Sequence, residues 1–278
     1  MYLFKKLVEK IGFARKSDSE NAFIIAIEGT DRSGKETQSK LLKNNLEALG
    51  LRVLLYSFPQ YDNSSSRFVK NYLNGDYGKL DEVNPYQAST TYAIDRLHTY
   101  LKEIKPRMND YDVIIFDRYV GSNLIHQTAK ISSSIDYLEE HSQIGFVKYW
   151  SDFEFEKLGL PEPDITILLD MPIEMGKKIA AGRNNKNGQT NDIHETNDDF
   201  MNRSYEIAHK VANYYDWLIL PCVKVNKLTK KMKVYSISKI AEYVLKASVM
   251  KYIQRNGKKL TDIDIDLILL PVWTIKGE

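Results

Sequence analysis

A doubly wound parallel α/β fold is what this chain of 278 residues predicts, on three observations. Short apolar runs recur along it: FIIAIE at 23–28, RVLLYSF at 52–58, DVIIFD at 112–117 and DITILLD at 164–170. Strands covered on both faces read this way, because neither face meets water. Stretches with helical spacing follow them, as in Leu41, Leu42, Leu46 and Leu49 before the natural stop at Gly50. Strands alternating with helices, with no internal repeat, wind into a parallel sheet with flanking helices. Ligands of such sheets bind beyond the carboxyl ends of the strands, where Gly29, Phe58, Asp117 and Asp170 fall.

Taken in order, residues 1–21 form an N-terminal extension. Leu3, Leu7, Val8, Ile11 and Phe13 stand near helical spacing with lysines between them, which predicts a short amphipathic helix rather than a signal peptide. SDSEN at 17–21 reads as a linker. Residues 22–249 form one α/β domain, and residues 250–278, with the apolar run LILLPVW, form a C-terminal extension. Basic residues number 39 against 37 acidic, a formal charge of +2, so no global field points to nucleic acid or membrane and any anion site is local. No stretch reaches the roughly 20 apolar residues that span a bilayer. The single cysteine, Cys222, rules out an internal disulfide and suits a reducing compartment, so a cytoplasmic location is expected.

The turn after the first strand carries the chemistry. In IEGTDRSGKETQ, Gly29, Gly34 and Lys35 have the spacing of the phosphate-binding pattern GxxxxGK[ST], with Glu36 in place of the hydroxyl. A strand running into such a loop and then a helix aims backbone N–H groups and a helix N-terminus at phosphate oxygens. Gly29, Thr30, Asp31, Arg32, Ser33, Gly34 and Lys35 would line a nucleotide's phosphates, with Glu36 and Thr37 opening the helix. Asp117, the acid closing the third apolar run, stands where phosphoryl-transfer sites place an acid near magnesium.

Four separated segments together resemble the thymidylate kinases, P-loop nucleoside monophosphate kinases that move a phosphoryl group from ATP to dTMP. They are EGTDRSGKETQ at 28–38, FPQY at 58–61, TYAIDR at 91–96 and DRYVGSNLIHQ at 117–127. The last is similar to the family's DRYxxSxxxxQ at every fixed position. The resemblance implies a nucleoside monophosphate kinase giving dTDP, magnesium as cofactor with ATP as co-substrate, and a homodimer.

Residue by residue, the resemblance implies that Asp31 contacts the deoxyribose 3′-hydroxyl and the surroundings of the phosphates. Phe58 belongs with the substrate residues, Tyr92 matches the aromatic that stacks on thymine, Arg96 the arginine on a base carbonyl, and Gln127 the amide that reads the base edge. Arg118 would clamp phosphate oxygens with parallel hydrogen bonds, while Asp117 positions magnesium or the acceptor rather than abstracting a proton. A lid is expected at about 182–197, where the helix after LLDMP passes into a polar segment. Its Arg183, with Lys186 the weaker candidate, or Arg32 in the loop would meet charge on the transferred phosphoryl.

Two departures stand out. FPQY lacks the family's arginine, so either Arg118, Arg32 or Arg67 carries more of its load or affinity for the nucleotide phosphate is lower. Glu36 replaces a direct magnesium ligand, so Glu36 and Asp117 are the expected metal residues, with Glu36 acting through water. The rival readings are a kinase for another deoxynucleotide and a catalytically weak nucleotide binder of the same fold.

Overall fold

The computed structural model describes residues 21–131, 142–183, 197–226 and 228–255. Five parallel strands, β1 (Phe23–Glu28), β2 (Val53–Ser57), β3 (Val113–Asp117), β4 (Ile165–Asp170) and β5 (Leu218–Pro221), lie in the order β2-β3-β1-β4-β5. The four apolar runs are thus four of these strands. β1 is central; connections lead first to one side of it and then to the other, which opens a crevice at its carboxyl end.

Every residue of β1 is buried, and its side chains divide with a period of two. Phe23, Ile25 and Ile27 pack on one face with Leu42 and Leu46 of α1 (Lys35–Ala48). Ile24 and Ala26 pack on the other, in a cluster that holds Val120 and Leu124 of α4 (Val120–Thr128), Phe146 and Trp150 of α5 (Gln143–Asp152) and Phe200 of α7 (Asp198–Tyr214). Truncating a residue such as Ile27 to alanine would cost about 2–5 kcal/mol, since its side chain is fully buried in the layer beneath α1.

The remaining helices on this side of the sheet's ends are α2 (Arg67–Asn74) and α3 (Pro85–Thr99). α3 starts on a full capping box: Asn84 Oδ1 accepts from Tyr86 N–H, Gln87 Oε1 accepts from Asn84 N–H, and Pro85 sets the first turn. α6 (Ile173–Arg183) and α7 flank the expected lid, of which residues 184–196, with Lys186, lie outside the described residues. So do residues 1–20 with their expected amphipathic helix, and the run LILLPVW.

α8 (Ile237–Arg255) runs six residues past the expected boundary at 249. Tyr252 and Ile253 belong to the core, and Arg255 donates to Asp164 Oδ2 at 2.9 Å, so helical packing continues to that point. A small antiparallel pair, β6 (Val223–Val225) with β7 (Met232–Val234), is an addition that three-residue strands do not announce in sequence.

Candidate active site

The loop after β1 depends on its two glycines. Gly34 has φ 90°, and Gly29 has φ 153° with no room for a side chain. A Cβ on Gly29 would lie 2.6 Å from Ser33 Oγ and 3.0 Å from the Leu169 carbonyl oxygen, which is backbone of β4 and cannot swing aside. Gly34 is the N-cap of α1 and brings no capping side chain. The amides of Lys35, Glu36 and Thr37 therefore have no partner within the helix, at the positive end of its dipole.

Lys35 is only 4% exposed. Its Nζ donates to the carbonyls of Gly29 and buried Thr30, each at 2.7 Å, and to Ser33 Oγ at 3.4 Å. Burial, followed by the Arg118 charge, lowers its pKa to about 7 against the pull of Asp31, Asp117 and Glu28. An ammonium held this way gains from any anion delivered to the loop.

The DR pair closes the other side. Asp117 ends β3, with Oδ2 accepting from Ser57 Oγ at 3.0 Å and Oδ1 buried without a protein hydrogen bond. Arg118 has φ 63°, and this turn sends its guanidinium back over the loop, where Nη2 donates to Asp31 Oδ1 at 2.6 Å. Burial pushes the Asp31 carboxyl up, but Arg118, His126 and Lys35 outweigh it and hold the group well below the usual range. Opposite charges at such a distance stay paired because each is the other's nearest compensation.

From this pair a cleft runs between α3 and α4, lined by Asp31, Phe58, Tyr92, Arg96, Arg118 and Gln127, all six of the expected substrate residues. Phe58 is buried against Phe116 and Tyr119. Tyr92 stands edge-on to Tyr72 at 6.1 Å, at the cleft's outer wall. Gln127 is 1% exposed, and neither end of its amide has a hydrogen-bond partner in the protein. A buried amide left in this state is costly unless a ligand completes it.

Arg96 departs from a simple base-facing arginine. Its Nε and Nη2 each donate at 2.6 Å to the two oxygens of Glu154, a fully buried ion pair, which leaves three of its five donors for the cleft.

Two other expectations are corrected in place. Glu36 points outward: its side chain is 72% exposed and pairs with Lys40 one turn on, because helix direction at the second position of α1 carries it away from the loop. Arg67 is exposed at the start of α2 and does not line the cleft. The Arg183 side chain lies outside the described residues, although the residue ends α6. Arg32, at φ 66°, backs onto Gly176 of α6, so the loop touches the helix that leads to the lid. Thr37 is half-buried in the first turn of α1.

Sequence reasoning missed several supporting groups. Glu28 is fully buried and accepts from Tyr119 N–H at 2.8 Å and Ser122 Oγ at 2.6 Å, so it holds the start of α4 against the end of β1. Burial pushes its carboxyl up, and those two hydrogen bonds only partly offset the effect. Asp95 accepts from Gln60 N–H and Ser65 Oγ, both at 2.8 Å, and so anchors the FPQY turn. Asn123 and His126 also line the cleft. The signal for Glu154 was present: it continues the apolar stripe of Phe146 and Trp150 at helical spacing, where a carboxylate does not belong without a partner.

Among the described residues no group of three or more His, Cys, Asp or Glu could hold a metal, and no helix is long and apolar enough to cross a membrane. A larger cavity, about 560 Å³, runs along β4 and β5 beneath α8; it shares Glu28 and Tyr119 with the site but none of the phosphate loop.

The family model for thymidylate kinase matches residues 27–232. A thymidylate kinase of Mycobacterium tuberculosis is 31% identical over 194 residues, covering 68% of this chain and 85% of that protein. One from Homo sapiens is 26% identical over 158 residues, covering 57% of this chain and 65% of that protein. The solved structure of a Candida albicans thymidylate kinase superposes with a TM-score of 0.58 at 21% identity, covering 85% of this chain and 93% of that one, a likeness of fold. The matched span holds the phosphate loop, the FPQY turn, the helix of Arg96 and the DR pair, and the chain belongs to the thymidylate kinase family.

Proposed function

We propose that the protein transfers the terminal phosphoryl group of ATP to dTMP, giving ADP and dTDP. The observation that carries this reading is the Gln127 amide, buried without a protein partner in the cleft that begins at the Arg118–Asp31 pair. A base edge can complete that amide while a 5′-phosphate reaches Arg118.

In the reaction an oxygen of the dTMP phosphate attacks the terminal phosphorus of ATP, and the bond to the ADP oxygen breaks. The acceptor oxygen is already ionised near neutral pH, so the protein's work is positioning and charge stabilisation. Lys35 and the amides at the start of α1 hold the triphosphate oxygens, and Arg118 holds the acceptor phosphate. Arg32 and Arg183 are the two arginines proposed to meet the transferred group. Closure of the 182–197 segment would keep water from competing.

Magnesium fits one feature of this site: Asp117 Oδ1, buried and without a protein hydrogen bond, is an anionic acceptor at the end of β3. Bound with the triphosphate, the ion would neutralise oxygen charge, with Asp117 as its protein partner and phosphates and waters as the rest, as magnesium prefers. Glu36 has no part in this proposal.

The test is a coupled assay of ADP release with each deoxynucleoside monophosphate in turn. dTMP should be used best. Equal turnover of all four would overturn the base assignment, and no turnover of any would overturn the kinase reading.

A further inference from the structure

We propose that Glu154 is a positioning residue for base selectivity: one carboxylate orients both the Arg96 guanidinium and the Asn123 amide toward a pyrimidine with a carbonyl at position 4 and a hydrogen on N3. This rests on the cleft being the dTMP site.

Glu154 is 0% exposed and lies in the π-helical turn Phe153–Lys157 that extends α5. Its Oε2 accepts from Arg96 Nε, and its Oε1 accepts from Arg96 Nη2 and, at 3.0 Å, from Asn123 Nδ2. Carboxylate oxygens beside a guanidinium only accept, so the nitrogen end of Asn123 must face Glu154. The oxygen end is thereby aimed away. Asn123 is 3% exposed, its Oδ1 has no protein partner, and it lines the cleft one helical turn before Gln127.

The cleft thus offers donors from Arg96 beside an acceptor from Asn123. Thymine presents the complement, with O4 as acceptor and N3–H as donor. Cytosine presents the reverse, an amine at position 4 and a bare N3, so donor would face donor and acceptor would face acceptor. A site built to pair with one pattern rejects the other strongly, because the mismatched groups are left buried and unpaired. Without Glu154 the amide is free to turn over, and that half of the code is lost.

The test compares kcat and KM for dTMP and dCMP in wild type, Glu154→Gln, Asn123→Ala and the double variant. Glu154→Gln should lower the dTMP-over-dCMP ratio of kcat/KM at least about tenfold, mainly through nucleotide KM, with KM for ATP held within about twofold. On the Asn123→Ala background the same substitution should lower the ratio by less, because part of its effect passes through that amide. Wild-type preference for dTMP that Glu154→Gln leaves intact overturns the proposal alone. Absence of that preference in wild type overturns the cleft assignment as well. Should Glu154→Gln fail to fold, the wild-type Asn123 side-chain amide decides by NMR. Slow exchange of one amide hydrogen, both free and with dTMP, supports the proposal, and fast exchange of both hydrogens overturns it.

Discussion

Arg118 and Asp31, 87 residues apart in the chain, meet at 2.6 Å across the carboxyl ends of β3 and β1. Parallel pairing of those strands sets Ile27 beside Asp117, so each strand's next turn emerges at the same level. The positive φ at Arg118 then brings its side chain back over the loop. An ion pair in this place ties the turn after β3 to the loop after β1.

Arg118→Met should cut kcat/KM for dTMP by about 10²- to 10³-fold, the scale for removing one group that meets developing charge. Steady-state kinetics with each substrate varied will show it. The same variant changes acid stability. A carboxyl depressed in the folded state contributes stability above its unfolded pKa and loses it as pH falls through the folded value. Without Arg118 the Asp31 carboxyl rises, so acid unfolding followed by circular dichroism should begin at higher pH than in wild type.

Lys35 should make ATP binding take up a proton. Its pKa of about 7 leaves it largely neutral at pH 8 in the free protein, whereas a bound triphosphate favours the ammonium. Between pH 8 and 9 the affinity for ATP should weaken by up to about tenfold, as one linked proton requires. Calorimetry in buffers of different ionisation enthalpy should record uptake approaching one proton, and Lys35→Met should abolish it. Stability of the free protein moves the other way. Between about 7 and the ordinary lysine value the unfolded chain holds the extra proton, so folding is favoured as pH rises.

Gln127→Leu should separate binding from stability. The amide has no protein hydrogen bond to lose, so the melting temperature should hold or rise. KM for dTMP should rise by roughly 10- to 100-fold, equivalent to about 1–3 kcal/mol for an unpaired base edge. A fall in melting temperature with KM unchanged would assign the amide to the fold.

Asp117 and Glu36 should differ in their bearing on the metal. Asp117→Asn should raise the magnesium concentration for half-maximal activity by tenfold or more, on the order of one charged ligand's contribution. Glu36→Ala removes an exposed carboxylate paired only with Lys40 and should leave that concentration within about twofold of wild type. Activity titrated against magnesium in the three proteins checks both.

Sequence by itself determined four of the five strands of the sheet, the phosphate loop and the DR pair, because each is a local pattern. An apolar run long enough for one strand, two glycines at the spacing of the loop pattern, and a lysine at the start of a helix all declare themselves within a few residues. The six residues expected to bind substrate were legible through the resemblance and not through their physics. Tyr92 and Gln127 become a site only when α3 and α4 face each other across the cleft.

Tertiary structure alone decided where the charges go. Glu36 holds the position of a metal ligand in the loop pattern, yet its helix turns it to solvent. Glu154 lies 58 residues from Arg96 and belongs to no motif, yet packing brings the two together in a buried ion pair. Burial makes such a partner obligatory, since an unpaired guanidinium inside the fold costs several kcal/mol. Which carboxylate answers it depends on how the turn after α5 packs against α3, a long-range contact that local pattern does not encode.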